Sequence, residues 1–145
     1  MGVIVRMLCS GEAAVLGRVV AGVFDHEVDL DRTAEFLADS RHHLAVAIDG
    51  ELVVGMASAL HYVHPDKAAT LWINEVGVAP THQGKGLGRR LLELLFEHGR
   101  ALGCHDAWVA TEPSNHAARR LYASAGGVES TEGFVMVEFK LAPEP

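Results

Sequence analysis

A long amphipathic helix that directly follows an apolar strand is the feature that most limits the folds open to this chain. Leucines recur at the helical period between Leu87 and Leu102, and Gly103 supplies a C-terminal stop. The apolar run Thr70–Val78 precedes this helix and is closed by Pro80. Because such a helix must bury its apolar stripe against a partner, the pattern predicts helices packed on a sheet.

The remaining segments continue this alternation of strands and helices. Asp49 and Gly50 are a hairpin signal between two apolar runs. A hairpin-connected meander that leads into crossover helices predicts an α+β protein with a mixed sheet. The expected strands are 3–8, 44–48, 52–62, 70–78, 107–110 and 134–141, and the expected helices are 10–22 with Ser10 as N-cap, 31–38, 87–102 and 114–124 with Ser114 as N-cap.

Length and composition indicate one domain over residues 1–145. The 145 residues are 49% hydrophobic and 21% charged, which is ordinary for a globular chain. No run approaches the roughly 18 apolar residues of a membrane span, and the first residues lack the layout of a signal peptide. We therefore expect a soluble cytoplasmic protein without a membrane partner.

Charge and metal-ligating residues exclude further classes. The net charge of −7 disfavours a nucleic-acid partner, because such proteins carry a basic face. Two cysteines are too few for a disulfide framework, and the nine histidines fall in no metal-ligand spacing. We expect no metal.

The turn from Gln83 to Gly88 is the most informative motif. Three glycines in five positions leave bare backbone at the start of a helix, where free amides and the helix dipole attract phosphate. Lys85 and Arg89 add positive charge, although a tight structural connection would have the same pattern. A Walker loop does not fit because Gly86 follows Lys85, and the glycine spacing does not fit a dinucleotide fingerprint.

The Q-x-x-G-x-G spacing that begins at Gln83 resembles the acetyl-CoA pyrophosphate loop of the GNAT superfamily of N-acetyltransferases. Residues 115–122 also resemble the N-x-x-A-x-x-x-Y signature of that family. The resemblance implies the GNAT fold, a mostly antiparallel mixed sheet of about six to seven strands with about four helices, acetyl-CoA as acyl donor and a possible homodimer. It implies cofactor contacts from Val76, Gly77, Val78, Gln83, Gly84, Lys85, Gly86, Leu87, Gly88, Arg89, Asn115 and Tyr122.

Two side chains are candidates for the proton transfers. Glu75 is an acidic residue in an apolar strand, where a carboxylate is costly unless it has a partner or a role. Strand alternation would put Glu75 on the face of Ile73. The resemblance implies that Glu75 is the general base, directly or through water, that Tyr122 protonates the CoA sulfur, and that the Val76 or Gly77 amide polarises the carbonyl. An exposed carboxylate and a core aromatic are the structural alternatives.

An acidic N-terminal cluster suggests the class of acceptor. Asp25, His26 and Glu27, together with Glu75 and Glu112, would suit a polycationic substrate, although a solvated loop is the alternative. In length and layout the chain is similar to aminoglycoside 3-N-acetyltransferases, whose typical member carries Asp where Glu75 stands. This similarity implies an aminoglycoside acceptor. A polyamine or protein amine, a non-catalytic acyl-CoA-binding domain and a nucleotide-binding module remain alternatives.

Overall fold

Five strands form one sheet in the order β1-β2-β3-β4-β5 in a computed structural model that describes residues 2–143. The first four strands are antiparallel neighbours, and β5 is parallel to β4. The elements are β1 Ile4–Met7, a 3-10 turn Ala13–Gly17, α1 Leu30–Ala38, β2 His42–Asp49, β3 Leu52–Tyr62, β4 Thr70–Val78, a 3-10 turn Pro80–His82, α2 Leu87–Ala101, β5 Asp106–Val109 and α3 His116–Ser124.

Helix α2 supplies the centre of the core. Its buried leucines, Leu91, Leu92 and Leu95, pack onto the sheet, and Leu91 reaches the backbone of β3 at Gly55. The middle of β2 and most of β3 are continuous buried runs, as expected for strands covered on both faces. The predicted amphipathic helix and the three strands of the meander are confirmed, and β3 and β4 have the predicted bounds.

The expected number of elements is wrong. Within residues 2–143 the fold has five strands and three α-helices, not six to seven strands and four helices. The missing helix is 10–22, where only the short turn Ala13–Gly17 forms. Residues that follow this turn are bound to β3 instead: Val53 donates to the Arg18 carbonyl, and Val20 donates to the Val53 carbonyl. Pairing with a sheet edge therefore overrides the weak helical pattern.

The predicted strand 134–141 also does not form, although these residues are described. The N-cap of the last helix is Asn115 rather than Ser114, because the Asn115 side chain accepts from the Ala118 amide at 3.1 Å. Over the described part of the chain, no helix is long and apolar enough to cross a membrane.

Candidate active site

Strand β4 loses one of its two neighbours halfway along its length. Strand β5 pairs with it only from Thr70 to Ile73, so residues 74–78 have β3 on one side and no strand on the other among the residues described. Ala79 donates to the Val54 carbonyl of β3 at 2.8 Å. Because successive residues of a strand direct their backbone groups to opposite sides, those of Val76 and Val78 face the open side. Backbone groups in this position need a partner.

A bulge places Glu75 beside this opening. Ser58 pairs with Glu75 and the next residue, Ala59, pairs with Ile73, so Asn74 is the extra residue of β4. A bulge resets the alternation of side chains. Ile73 is accordingly buried while both Asn74 and Glu75 are exposed, and the prediction that Ile73 and Glu75 share a face is wrong. Exposure also removes the expected burial cost of the carboxylate and leaves it accessible to a substrate.

The glycine turn continues from the open end of β4. The Gln83 side-chain amide donates to the Val78 carbonyl at 3.1 Å, which fixes the start of the turn to the strand. Gly84 and Gly86 have φ of +75° and +76°, a conformation that side chains disfavour. A Cβ at either position would meet no atom within 4 Å, so the space above the turn is open. The turn thus combines the backbone that glycine allows with room for a ligand.

The first turn of α2 presents unused amides and basic side chains. Gly86 is the N-cap and has no side-chain cap bond, and no acidic residue occupies the first turn. This arrangement leaves the positive end of the helix dipole available to an anion. Lys85 is exposed, whereas Arg89 is held by Glu93 at 2.8 Å. At the base of the turn, His82 contacts the Asp49 carboxylate at 2.8 Å and anchors it to the β2–β3 hairpin.

Helix α3 brings the second motif to the same place. A Cβ on Gly88 would lie 3.0 Å from a Leu121 methyl group, so glycine permits α3 to approach the start of α2. The next residue, Tyr122, is half-buried, and burial raises its pKa above the ordinary value of 10.0. Asn115 uses its side-chain oxygen as the helix cap, which leaves the amide NH₂ as the group available to a ligand. The two motifs therefore converge on one edge of the sheet.

The acidic N-terminal segment is an exposed loop that lies against β4. Val23 is buried, and its carbonyl oxygen would be only 2.1 Å from a Cβ on Gly77. This contact holds the following residues, Asp25, His26 and Glu27, in an exposed loop close to the open half of β4. Glu112 is also exposed, in the connection that follows β5. No ion pair is formed by these four side chains within the described part of the structure.

Three features of the site were missed by the sequence analysis: the Asn74 bulge, the Gln83 bond to Val78 and the steric role of Gly77. A glycine inside an apolar strand signals a bulge or the close approach of another backbone, so Gly77 was the available clue. The bulge and the Gln83 bond depend on tertiary pairing and have no comparable signal.

Comparison with known proteins gives a consistent family. The family model described as acetyltransferase (GNAT) family matches residues 17–126. Streptothricin acetyltransferase of Streptomyces lavendulae is 34% identical over 64% of this chain and 49% of its own length. An L-amino acid N-acyltransferase of Escherichia coli (strain K12) is 35% identical over 74% of this chain and 64% of its own length. The chain thus spans about half to two thirds of these relatives.

Solved structures show the same fold at low identity. An aminoglycoside acetyltransferase from an uncultured soil metagenomic sample, solved with trehalose, has a TM-score of 0.83 and 17% identity, with 97% of each chain covered. The structure of AAC(6')-Iy with a bisubstrate analogue has a TM-score of 0.77 and 18% identity, with 97% of this chain and 99% of that chain covered.

Proposed function

Because the chain belongs to the acetyltransferase (GNAT) family, we propose that it transfers an acetyl group to a primary amine of a small polycationic acceptor, most specifically the 3-amino group of an aminoglycoside. Enzymes of this family use acetyl-CoA as the donor. The observation that carries the proposal is the open side of β4 beside the glycine turn. There, unpaired strand backbone and free helix amides form one continuous surface.

The residues present fit acetyl-CoA along this surface. The amides of Leu87, Gly88 and the glycine turn suit the pyrophosphate, and Lys85 adds a positive charge. The pantetheine arm carries amide groups, which can pair with the backbone of Val76 and Val78 as an added strand would. Acetyl-CoA supplies an activated thioester, and every other requirement of the reaction falls to the protein.

The protein must accept one proton and donate another. Glu75 accepts a proton from the ammonium form of the acceptor, directly or through one water, so that the amine can attack. The amide of Val76 faces the open side and polarises the carbonyl, whereas alternation directs the Gly77 amide towards β3. Tyr122 donates its phenolic proton to the departing sulfur as the carbon–sulfur bond breaks. Because its pKa is raised, this phenol is protonated at neutral pH.

The acceptor assignment rests on charge and position. The loop of Asp25, His26 and Glu27 follows Val23, which is fixed against Gly77 in β4. Together with Glu75 and Glu112 these groups surround the open half of the strand with carboxylates, which attract ammonium groups. Several ammonium groups on one acceptor would be held while one of them reacts.

An L-amino acid is the second candidate acceptor. It is favoured by the 35% identity to an L-amino acid N-acyltransferase over 74% of this chain. A single amino acid carries a carboxylate, which the acidic loop would repel. The aminoglycoside is therefore the first candidate.

Acetyl-CoA turnover against an acceptor panel tests the proposal. Thiol release would be measured with 3-amino aminoglycosides, aminoglycosides whose 3-amino group is blocked, spermidine, a lysine peptide and L-amino acids. We expect turnover only with the unblocked aminoglycosides. Turnover confined to L-amino acids would establish the second candidate, and no turnover on any aminoglycoside would refute the first.

We also propose that the protein acts in the cytoplasm as a homodimer, without nucleic-acid or membrane partners. The net charge of −7 supports the exclusion of nucleic acid.

A further inference from the structure

Residues 134–141, here called the C-terminal segment, have the sequence of a strand but lie in none. Phenylalanines and β-branched residues dominate the segment, as in paired strands. Within residues 2–143, no backbone–backbone hydrogen bond involves a residue beyond Gly127. Its large apolar side chains are 64% to 97% exposed: Phe134, Val135, Met136, Val137, Phe139 and Leu141. So large an apolar patch marks an interaction surface.

Strand β5 is the complementary feature. It pairs with β4 along one edge, and its other edge has no partner in the described structure. The Trp108 side chain at this edge is 47% exposed. A groove of about 380 Å³ runs beside it, lined by residues that include Tyr62, His64 and Thr70. An unpaired strand edge of this kind is a template for an added strand.

We propose that the C-terminal segment of one copy adds as a strand to β5 of a second copy, and that reciprocal exchange forms a two-fold dimer. The Phe134 ring lies 6.3 Å from Trp108 at 82°, so the segment begins at the β5 edge of its own chain. From there it leaves without pairing to that edge. One isologous interface satisfies both features, because each copy offers an edge without a strand and a strand without an edge.

The apolar area available is sufficient for such an interface. Aromatic side chains bury roughly 150–250 Å² each, so Phe134, Phe139 and Trp108 alone offer several hundred Å² per copy. With the four aliphatic side chains of the segment, two copies reach the roughly 1,200 Å² at which specific interfaces begin. A second copy is thus an adequate occupant, and no other partner is required to cover the patch.

The dimer is independent of the acetyl-transfer proposal, because none of its residues is among those assigned to acetyl-CoA or to the acceptor. Failure of either proposal would leave the other intact.

Light scattering of the full chain tests the interface. We expect a mass about twice the 15.5 kDa of one chain, and about half that mass for Val137→Asp. The matched control is Val128→Asp, since Val128 is 94% exposed but lies outside the segment, and it should stay dimeric. A monomeric wild type at hundreds of micromolar, or a dimeric Val137→Asp, would overturn the proposal.

Mixing two variants tests whether β5 is the acceptor edge. Trp108→Asp should be monomeric alone, like Val137→Asp, because each defect occurs in both halves of a symmetric dimer. Their mixture contains one intact half, with the normal segment of the Trp108→Asp chain on the normal edge of the Val137→Asp chain. Native mass spectrometry should therefore detect the heterodimer, and its absence would refute exchange onto β5. Circular dichroism checks folding; if Val137→Asp unfolds, Val135→Asp replaces it in both tests.

Discussion

Tyr122 combines a position in the packing of α3 with a phenolic hydroxyl that the packing does not use. The ring lies at the border of the core, and its hydroxyl has no hydrogen-bond partner among the described residues. Tyr122→Phe removes the proton donor and keeps the ring, so we expect kcat to fall by about 100-fold with little change in melting temperature. Steady-state thiol release with a saturating acceptor measures the effect.

Tyr62→Phe is the matched control, because Tyr62 is the other tyrosine of the sequence and lies on β3. It should retain wild-type kcat. Full activity of Tyr122→Phe would assign the hydroxyl no role in protonating the sulfur and leave Tyr122 a packing residue.

Residue identities at the site were predictable, whereas their orientations were not. Glu75 was identified from an acidic residue in an apolar strand, but its exposure follows from the bulge at Asn74. A bulge is created by the pairing of β4 with β3, and the local sequence of β4 does not contain that information.

At the scale of elements, the contact between Gly77 and Val23 couples the acceptor loop to the cofactor strand. A methyl group at Gly77 would lie 2.1 Å from the Val23 carbonyl oxygen, and both atoms belong to backbone that cannot turn aside. Gly77→Ala must therefore displace the loop. We expect destabilisation by roughly 1–3 kcal/mol and an increased acceptor KM, measured by chemical denaturation and kinetics.

Gly17→Ala is the control, since a Cβ at Gly17 would meet no atom within 4 Å. It should leave both quantities near the wild-type values. An unchanged acceptor KM in Gly77→Ala would separate the acidic loop from acceptor binding.

A row of three histidines joins β2, β3 and α2 at the opposite end of α2 from the glycine turn. His43 contacts His61 through Nε2 at 2.7 Å and His98 through Nδ1 at 3.0 Å. Since each neighbour takes a different ring nitrogen of His43, the neutral ring donates one bond and accepts the other. His43 is 7% exposed, and burial first, then the neighbouring histidines His98, His61 and His42, lower its pKa to about 4, while Asp39 opposes this.

This row predicts loss of stability in acid. Between pH 6.5 and 4 the unfolded chain binds a proton at His43 that the folded chain does not, so stability falls as pH decreases through this window. The loss is on the order of 2–3 kcal/mol, at 1.36 kcal/mol per pKa unit. His43→Gln keeps hydrogen-bonding capacity without titrating, so its urea unfolding free energy should depend less on pH between 7 and 4.5.

The exposed His116, changed to Gln, should keep the wild-type pH dependence. Equal slopes for His43→Gln and the wild type would show that the histidine row does not control acid stability.

The structure of whole elements was predictable where local pattern and tertiary pairing agree. The long period of α2 and the runs of β3 and β4 gave correct bounds. The pattern at 10–22 failed because backbone groups of Arg18 and Val20 pair with Val53, a contact between distant residues. The strand pattern at 134–141 describes a capacity to pair, but it does not specify whether the neighbouring edge belongs to the same chain.

At the scale of the whole molecule, the account predicts selective stabilisation by CoA. A ligand that binds only the folded chain adds about 2.7 kcal/mol of stability at 100 times its Kd. CoA should therefore raise the melting temperature, whereas ATP, for which the chain lacks a Walker loop, should raise it less. A larger shift with ATP would favour a nucleotide-binding module and contradict the assignment of the open side of β4 to pantetheine.

The most direct test of acetyl transfer at the open side of β4 is acetyl-CoA turnover by the wild type and Glu75→Gln, with CoA binding measured for both. The control Glu35→Gln changes an exposed carboxylate on α1. We predict that Glu75→Gln binds CoA normally but loses about 100- to 10,000-fold in kcat, while Glu35→Gln retains it. Full turnover by Glu75→Gln would contradict the account, because the exposed carboxylate beside the opening would then not be the base.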